Sequence, residues 1–188
     1  MFGSAHFPWL TTLLALPLLG TLLCLLCYRR PGVCKWIALG TTFGVLLITA
    51  GQFTFLHHFG TDWLQYEDHP WIDSLGIRYT LGLDGISLLL VLLTGFLQLA
   101  AVVISWHRKR YVAFFFALLQ VMEAGIMGVF LSLDLVLFYL FWEAMLIPMF
   151  FLIGIWGHHR RVYAAVKFFL FTFAGSLLML LAIIGLYL

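Results

Sequence analysis

The chain has 188 residues, of which 64% are hydrophobic and 10% charged, and its formal net charge is +2 at pH 7. With a mean hydropathy of +1.08 and far fewer charges than the roughly 25% of soluble domains, a soluble globular protein of this size is excluded. The few basic residues lie in short clusters between apolar runs, which gives no sign of a nucleic-acid partner and points to the lipid bilayer instead.

Six windows each hold about 20 mainly apolar residues, enough to cross a hydrocarbon core of about 30 Å. In chain order they fall at about 9–28, 33–57, 84–106, 111–131, 133–156 and 162–188. The runs are continuous rather than alternating, which argues for helices over a closed β-barrel. The expectation is an all-α polytopic transmembrane bundle of about six spans, organised as a single domain over 1–188. The first run has no basic residue before it and no small-residue cleavage site, so it reads as a retained span, not a signal peptide.

Cys24 and Cys27 form a C-x-x-C inside the first span, with Cys34 nearby. An apolar setting disfavours the thiolate that zinc or redox chemistry requires, so packing as small hydrophobes is expected and no metal site is assigned. In span two, Gly40 and Gly44 make a G-x-x-x-G; Gly125 with Gly128, and Gly175 beside Ser176, also permit close helix approach. The polar connection from about Phe59 to Thr80 carries Trp63, Tyr66, Trp71 and Tyr79, which suit an interfacial aromatic belt. His57, His58, His158 and His159 stand in pairs at interfaces, where hydrogen bonding is their expected role.

Eight of the ten basic residues lie in the links after spans one, three and five: Arg29, Arg30 and Lys35; Arg108, Lys109 and Arg110; Arg160 and Arg161. The positive-inside rule puts those links on the cytoplasmic side and the N-terminus outside. The long link after span two is acidic, with Asp62, Glu67, Asp68 and Asp73. Asp84 and Asp134 stand at the starts of spans three and five, where carboxylates cap helix amides.

Three ionisable groups lie deeper. Glu143 sits in FYLFWEAMLIPMFFLIGIWG, and Glu123 lies about 12 residues into span four. An acid at bilayer depth costs about 2.5–3.5 kcal/mol on insertion scales, a cost usually tied to proton or ion transfer. Both acids lie about 18–20 Å from the cytoplasmic ends of their helices, and close approach would raise at least one pKa. Glu123 also fits a neutral, hydrogen-bonded helix tie. Pro148 lacks an amide proton and leaves the carbonyl of Ala144 without its helical donor, a helix break near Glu143. Lys167, roughly 9 Å into span six, either snorkels to the interface or faces inward as a proton-exchanging ammonium.

The run around Glu143 together with AAVKFFLFTFAGSLLMLLAI, LDGISLLLVLLTG, MGVFLSLDLVLFYLFWE and WIALG resembles the subunit M (chain 4) family of NADH-quinone oxidoreductase, respiratory complex I. The resemblance runs in order over essentially the whole chain. It implies the first part of an antiporter-like fold of about fourteen spans and a proton-translocating subunit of an oxidoreductase complex in a bacterial inner membrane, or alternatively a mitochondrial one. NADH, flavin, iron–sulfur clusters and quinone would be handled by sister subunits, with no cofactor in this chain, and the partners would be other membrane subunits, especially antiporter-like ones. It implies proton translocation for Glu143, whose F-x-E-x-x-x-I-P setting is intact, and for Lys167 and Glu123. The family's principal lysines on later broken helices would lie beyond Leu188, so the chain is expected to be a fragment, a split product or one part of a shared pathway, and not to pump alone. Alternatives are a subunit of a multisubunit sodium/proton antiporter or membrane hydrogenase complex, which share this fold, and a non-transporting assembly piece.

Overall fold

In the computed structural model, residues 7–53, 63–72 and 76–187 are described. Among the described residues, six apolar helices are long enough to cross a membrane: α1 (Trp9–Leu26), α2 (Pro31–Gly51), α3 (Gly85–Ile104), α4 (Val112–Leu131), α5 (Leu135–Trp156) and α6 (Arg161–Tyr187). The polytopic helical class follows. Boundaries lie close to those expected, except that α2 ends at Gly51 with Gln52 as its C-cap. The expected continuation to 57, together with His57, His58, Asp62 and Asp73, lies outside the described residues.

Local chemistry accounts for the helix starts. Pro31 occupies the first turn of α2, where its missing N–H is no loss. Asp84 caps α3 by accepting from the Ser87 amide at 2.7 Å, which holds its carboxyl below the usual range. Asp134 caps α5 by accepting from Val136 N at 2.9 Å and Leu137 N at 3.0 Å. Pro17 and Pro148 lie buried inside α1 and α5. Both helices run on through them, so the break expected at Pro148 is a missing donor within a continuous helix; the fixed φ of proline is itself helical.

The link after α2, expected to carry an interfacial aromatic belt, also holds regular structure. It contains an antiparallel hairpin, β1 (Gln65–Ile72) and β2 (Ile77–Leu83), paired from Gln65↔Leu83 to Ile72↔Ile77 with an irregularity between Pro70 and Ile72. Gly76 enters β2 with φ +65°, a left-handed conformation that favours glycine. The hairpin is fastened to two helix ends. Glu67 accepts from Leu10 N at 2.7 Å, Thr11 N at 3.1 Å and Thr11 Oγ1 at 2.5 Å, supplying the start of α1 with the cap that Pro8 lacks. Leu81 bridges to Ser132, and the Arg78 amide donates to Asp134 at 3.4 Å. Arg78 forms a two-pronged ion pair with Asp68 at 2.8 and 2.7 Å, which lowers the pKa of Asp68. Trp63, Tyr66 and Trp71 are exposed at this end, while Tyr79 turns inward to Thr11 Oγ1 at 3.2 Å.

The three basic links meet at the opposite end. The Lys35 ammonium donates to Trp106 O, Trp36 meets Trp106 edge-on at 5.2 Å, and Trp156 Nε1 donates to Arg110 O at 3.0 Å. His158 and His159 are exposed there.

α4 is the hub, packed by α1, α2, α3 and α5, whereas α6 packs on α5. Its glycines allow close approach. A Cβ on Gly125 would lie 3.0 Å from Met145 Cβ, and one on Gly128 only 2.3 Å from the Phe141 ring. Gly40 and Gly175 have open space around them, so those small-residue positions make no close contact within the chain. Two apolar clusters fill the bundle. One at the hairpin end includes Leu13, Val45, Val91 and Met127. The other, at the basic end, includes Cys24, Cys34, Ala38, Val102 and Phe116. Cys24 and Cys34 are buried there, each thiol 3.4–3.5 Å from the other's carbonyl.

Candidate functional site: acids in the transmembrane bundle

The glycine seam fixes how the acids are turned. Phe141 and Met145 of α5 pack against the glycines of α4. Glu143 follows Phe141 by two positions, a rotation of about 200°, and therefore lies on the side of α5 away from α4. That side faces α6: Phe150, about two turns beyond Glu143, packs on Phe169 at 5.6 Å, and Tyr139 stands one turn before Glu143 on the same face. Glu143 is half-buried, and its Oε1 is shielded and has no hydrogen-bond partner. The carboxyl thus lies on the α6 side of α5, one turn from Tyr139, with one oxygen that has no hydrogen-bond partner among the described residues.

Glu123 is turned the other way. It precedes Gly125 by two positions, again about 200°, and faces α2, where Thr42 Oγ1 donates to its Oε2 at 3.1 Å. It is fully buried, and its Oε1 also lacks a partner. The two acids occupy opposite faces of the α4–α5 pair, and the Gly125–Met145 and Gly128–Phe141 contacts put them roughly one turn apart along the helix axis instead of at one depth.

Lys167 is exposed. Ala165 and Phe169 of α6 touch α5, and Lys167 stands about 200° from Ala165, with its Nζ 6.0 Å from the Phe171 ring centroid. Its ammonium therefore points out of the bundle, and within this chain neither Glu123 nor Lys167 faces Glu143.

The structure adds polar residues that sequence reasoning passed over. At the level of Glu123, Thr41 Oγ1 reaches Gln120 Oε1 at 2.9 Å, Gln98 Nε2 donates to Leu119 O at 2.6 Å, and Thr21 Oγ1 lies 3.3 Å from Ala117 O. Gln98, Gln120 and Thr42 are buried. The available signal was the recurrence of Thr or Gln at mid-span in four apolar helices. Among the described residues, no group of three or more His, Cys, Asp or Glu could hold a metal ion.

A family model described as NADH:quinone oxidoreductase/Mrp antiporter, transmembrane, matches residues 132–188, the part that carries α5, Glu143 and α6. The chain is 46% identical to NADH-quinone oxidoreductase subunit M of Rhodobacter capsulatus over 81% of its length and 30% of the relative. It is 41% identical to an NAD(P)H-quinone oxidoreductase chain 4 of Picosynechococcus over 97% of its length and 34% of the relative. A chain in the structure of respiratory complex I from Thermus thermophilus with bound NADH superposes with a TM-score of 0.80 at 29% identity, covering 94% of this chain and 35% of that one. The chain thus spans about a third of the relatives it matches. Over nearly its whole length, and on a shared six-helix architecture, this chain is similar to about a third of the length of NADH-quinone oxidoreductase subunit M (chain 4) proteins.

Proposed function

We propose that the chain acts in a proton-translocating membrane-arm subunit of NADH:quinone oxidoreductase, with Glu143 as the group that takes up and releases the proton. The observation that carries this reading is the Glu143 carboxyl, half-buried in an apolar helix with an unsatisfied oxygen, in a chain whose relatives bear that enzyme's name. Its chemistry is electrostatic. A positive charge brought near Glu143 favours the carboxylate, and its withdrawal favours proton uptake. NADH oxidation and quinone reduction belong to sister subunits, which are also the partners. Glu123 serves as a second protonatable site on the opposite face of the α4–α5 pair. Lys167, on the outer face of α6, supplies positive charge to whatever packs there. The basic links lie on the cytoplasmic side of a bacterial inner membrane and the hairpin outside, by the positive-inside rule.

The family description also names Mrp antiporters, so a multisubunit sodium/proton antiporter is the second reading. Tagging the chain in its native membrane and identifying the co-purifying subunits separates the two. Recovery with NADH-oxidising, quinone-reducing subunits supports the first; recovery with antiporter subunits alone overturns it.

A further inference from the structure

Between the two apolar clusters lies a polar layer that Glu143 does not share. α4 contributes Gln120 and Glu123, α2 contributes Thr41 and Thr42, and α3 contributes Gln98. Gln120 and Glu123 are three residues apart on one helix face and both are 0% exposed, yet each keeps an unpartnered atom: one end of the Gln120 carboxamide and Glu123 Oε1. Turning the amide over does not remove the vacancy, because Thr41 meets one end whichever way it lies and the other end stays open.

The site has been given room. A Cβ on Gly20 of α1 would lie 2.1 Å from Gln120 Oε1, so only glycine lets this carboxamide occupy its place. A buried polar atom without a partner costs about 1–3 kcal/mol, and two such atoms on side chains one turn apart on one helix face are a setting in which an internal water can make its two or more bonds.

The charge state follows from what surrounds Glu123. Within α1, α2, α3 and α4 the one cation is Lys35, seven residues from Thr42 or about 10 Å along α2, and its ammonium is committed to Trp106 O at the basic end. The other ionisable groups on these helices are the thiols of Cys24 and Cys34, which point to each other's carbonyls. On α5, Glu143 lies on the far side. From the hairpin, Arg78 is paired with Asp68. A carboxylate at Glu123 would be a buried charge without a counter-ion, which proteins avoid by protonation.

We infer that Gln120 and Glu123 form an internal hydration site, closed by Thr41, Thr42 and Gly20, that binds at least one water and keeps a proton on Glu123 as a neutral carboxylic acid. This inference stands apart from the role of Glu143 and holds whether or not the chain takes part in transport.

Infrared difference spectroscopy of the full chain in lipid at neutral pH tests the proton. Wild type minus Glu123→Gln is expected to show a protonated carboxyl C=O band that shifts in D₂O, survives Glu143→Gln, and moves to higher frequency in Gln120→Met as a hydrogen bond is lost. A carboxylate doublet in its place overturns the inference. If Gln120→Met does not fold, Gly20→Ala displaces the same carboxamide and must shift the same band; an unmoved band in a folded Gly20→Ala protein counts against the site. The water is tested by a high-resolution density map. Density between the free end of Gln120 and Glu123 Oε1 is expected, and a dry site with those two atoms bonded directly to each other overturns it.

Discussion

Replacing Gly128 by alanine probes the seam that orients Glu143. The new Cβ would lie 2.3 Å from Phe141 Cδ1 and Cγ, whereas carbon atoms rest about 3.5–4.0 Å apart. About 1.2–1.7 Å must be found, and Cγ is the root of the ring, so the ring must change rotamer or α5 must move away. Overpacking of this kind costs about 1–3 kcal/mol. Thermal unfolding in detergent is expected to show a clear loss for Gly128→Ala and a smaller one for Gly125→Ala, whose Cβ would lie 3.0 Å from Met145 Cβ. Gly175→Ala meets nothing within 4 Å and should gain stability, since glycine inside a helix is worse than alanine by about 0.5–1 kcal/mol. A double-mutant cycle with Phe141→Leu should recover much of the Gly128→Ala loss. If Gly128→Ala matches Gly175→Ala, or shows no coupling to Phe141, the seam and the rotation of Glu143 derived from it are wrong.

Glu67→Gln keeps the shape of the hairpin anchor but removes its charge. Hydrogen bonds to charged groups contribute about 1.5–3 kcal/mol, so amide exchange at Leu10 and Thr11 should accelerate while α3 is unaffected; unchanged exchange refutes the anchor. The pKa of Asp68 is lowered by Arg78, so the stability from this pair is complete above the ordinary carboxylate value of 3.8 and fades as pH falls below it. Its size is small because the pair is exposed. Arg78→Ala should raise the Asp68 pKa in an NMR titration, and an unmoved pKa contradicts the pairing. Asp84→Ala should cost about 0.5–2 kcal/mol through the lost cap, read as fraying of the first turn of α3 by hydrogen exchange.

The spans were legible because each is a continuous apolar run, and the caps because Asp84 and Asp134 stand just before such runs. The hairpin was less visible. β1 is polar and contains Pro70, but β2 alternates Ile77, Tyr79, Leu81 and Leu83 with Arg78, Thr80 and Gly82, the period of a half-buried strand. Aromatic residues in an acidic link drew attention to the membrane surface instead. Depth along a helix follows from counting residues, so the mid-span placement of Glu123 and Glu143 was readable to within roughly one turn. Rotation about the axis depends on which neighbour packs where, and hydropathy in a bundle apolar on all sides does not encode it. The glycines at 125 and 128 did hold that information, because close approach there turns Glu123 away from α5. The polar layer around Gln120 escaped notice because uncharged Thr and Gln barely lower the mean hydropathy of a span.

The central claim is that Glu143 carries the proton. The direct measurement is protons translocated per NADH oxidised by the assembled complex in sealed vesicles, with Glu143→Gln compared to wild type at equal complex content. Loss of most coupled turnover and proton transfer is the predicted result, with assembly intact because glutamine preserves the shape of the side chain. An assembled Glu143→Gln complex that oxidises NADH and moves protons at near-normal rates would contradict the account.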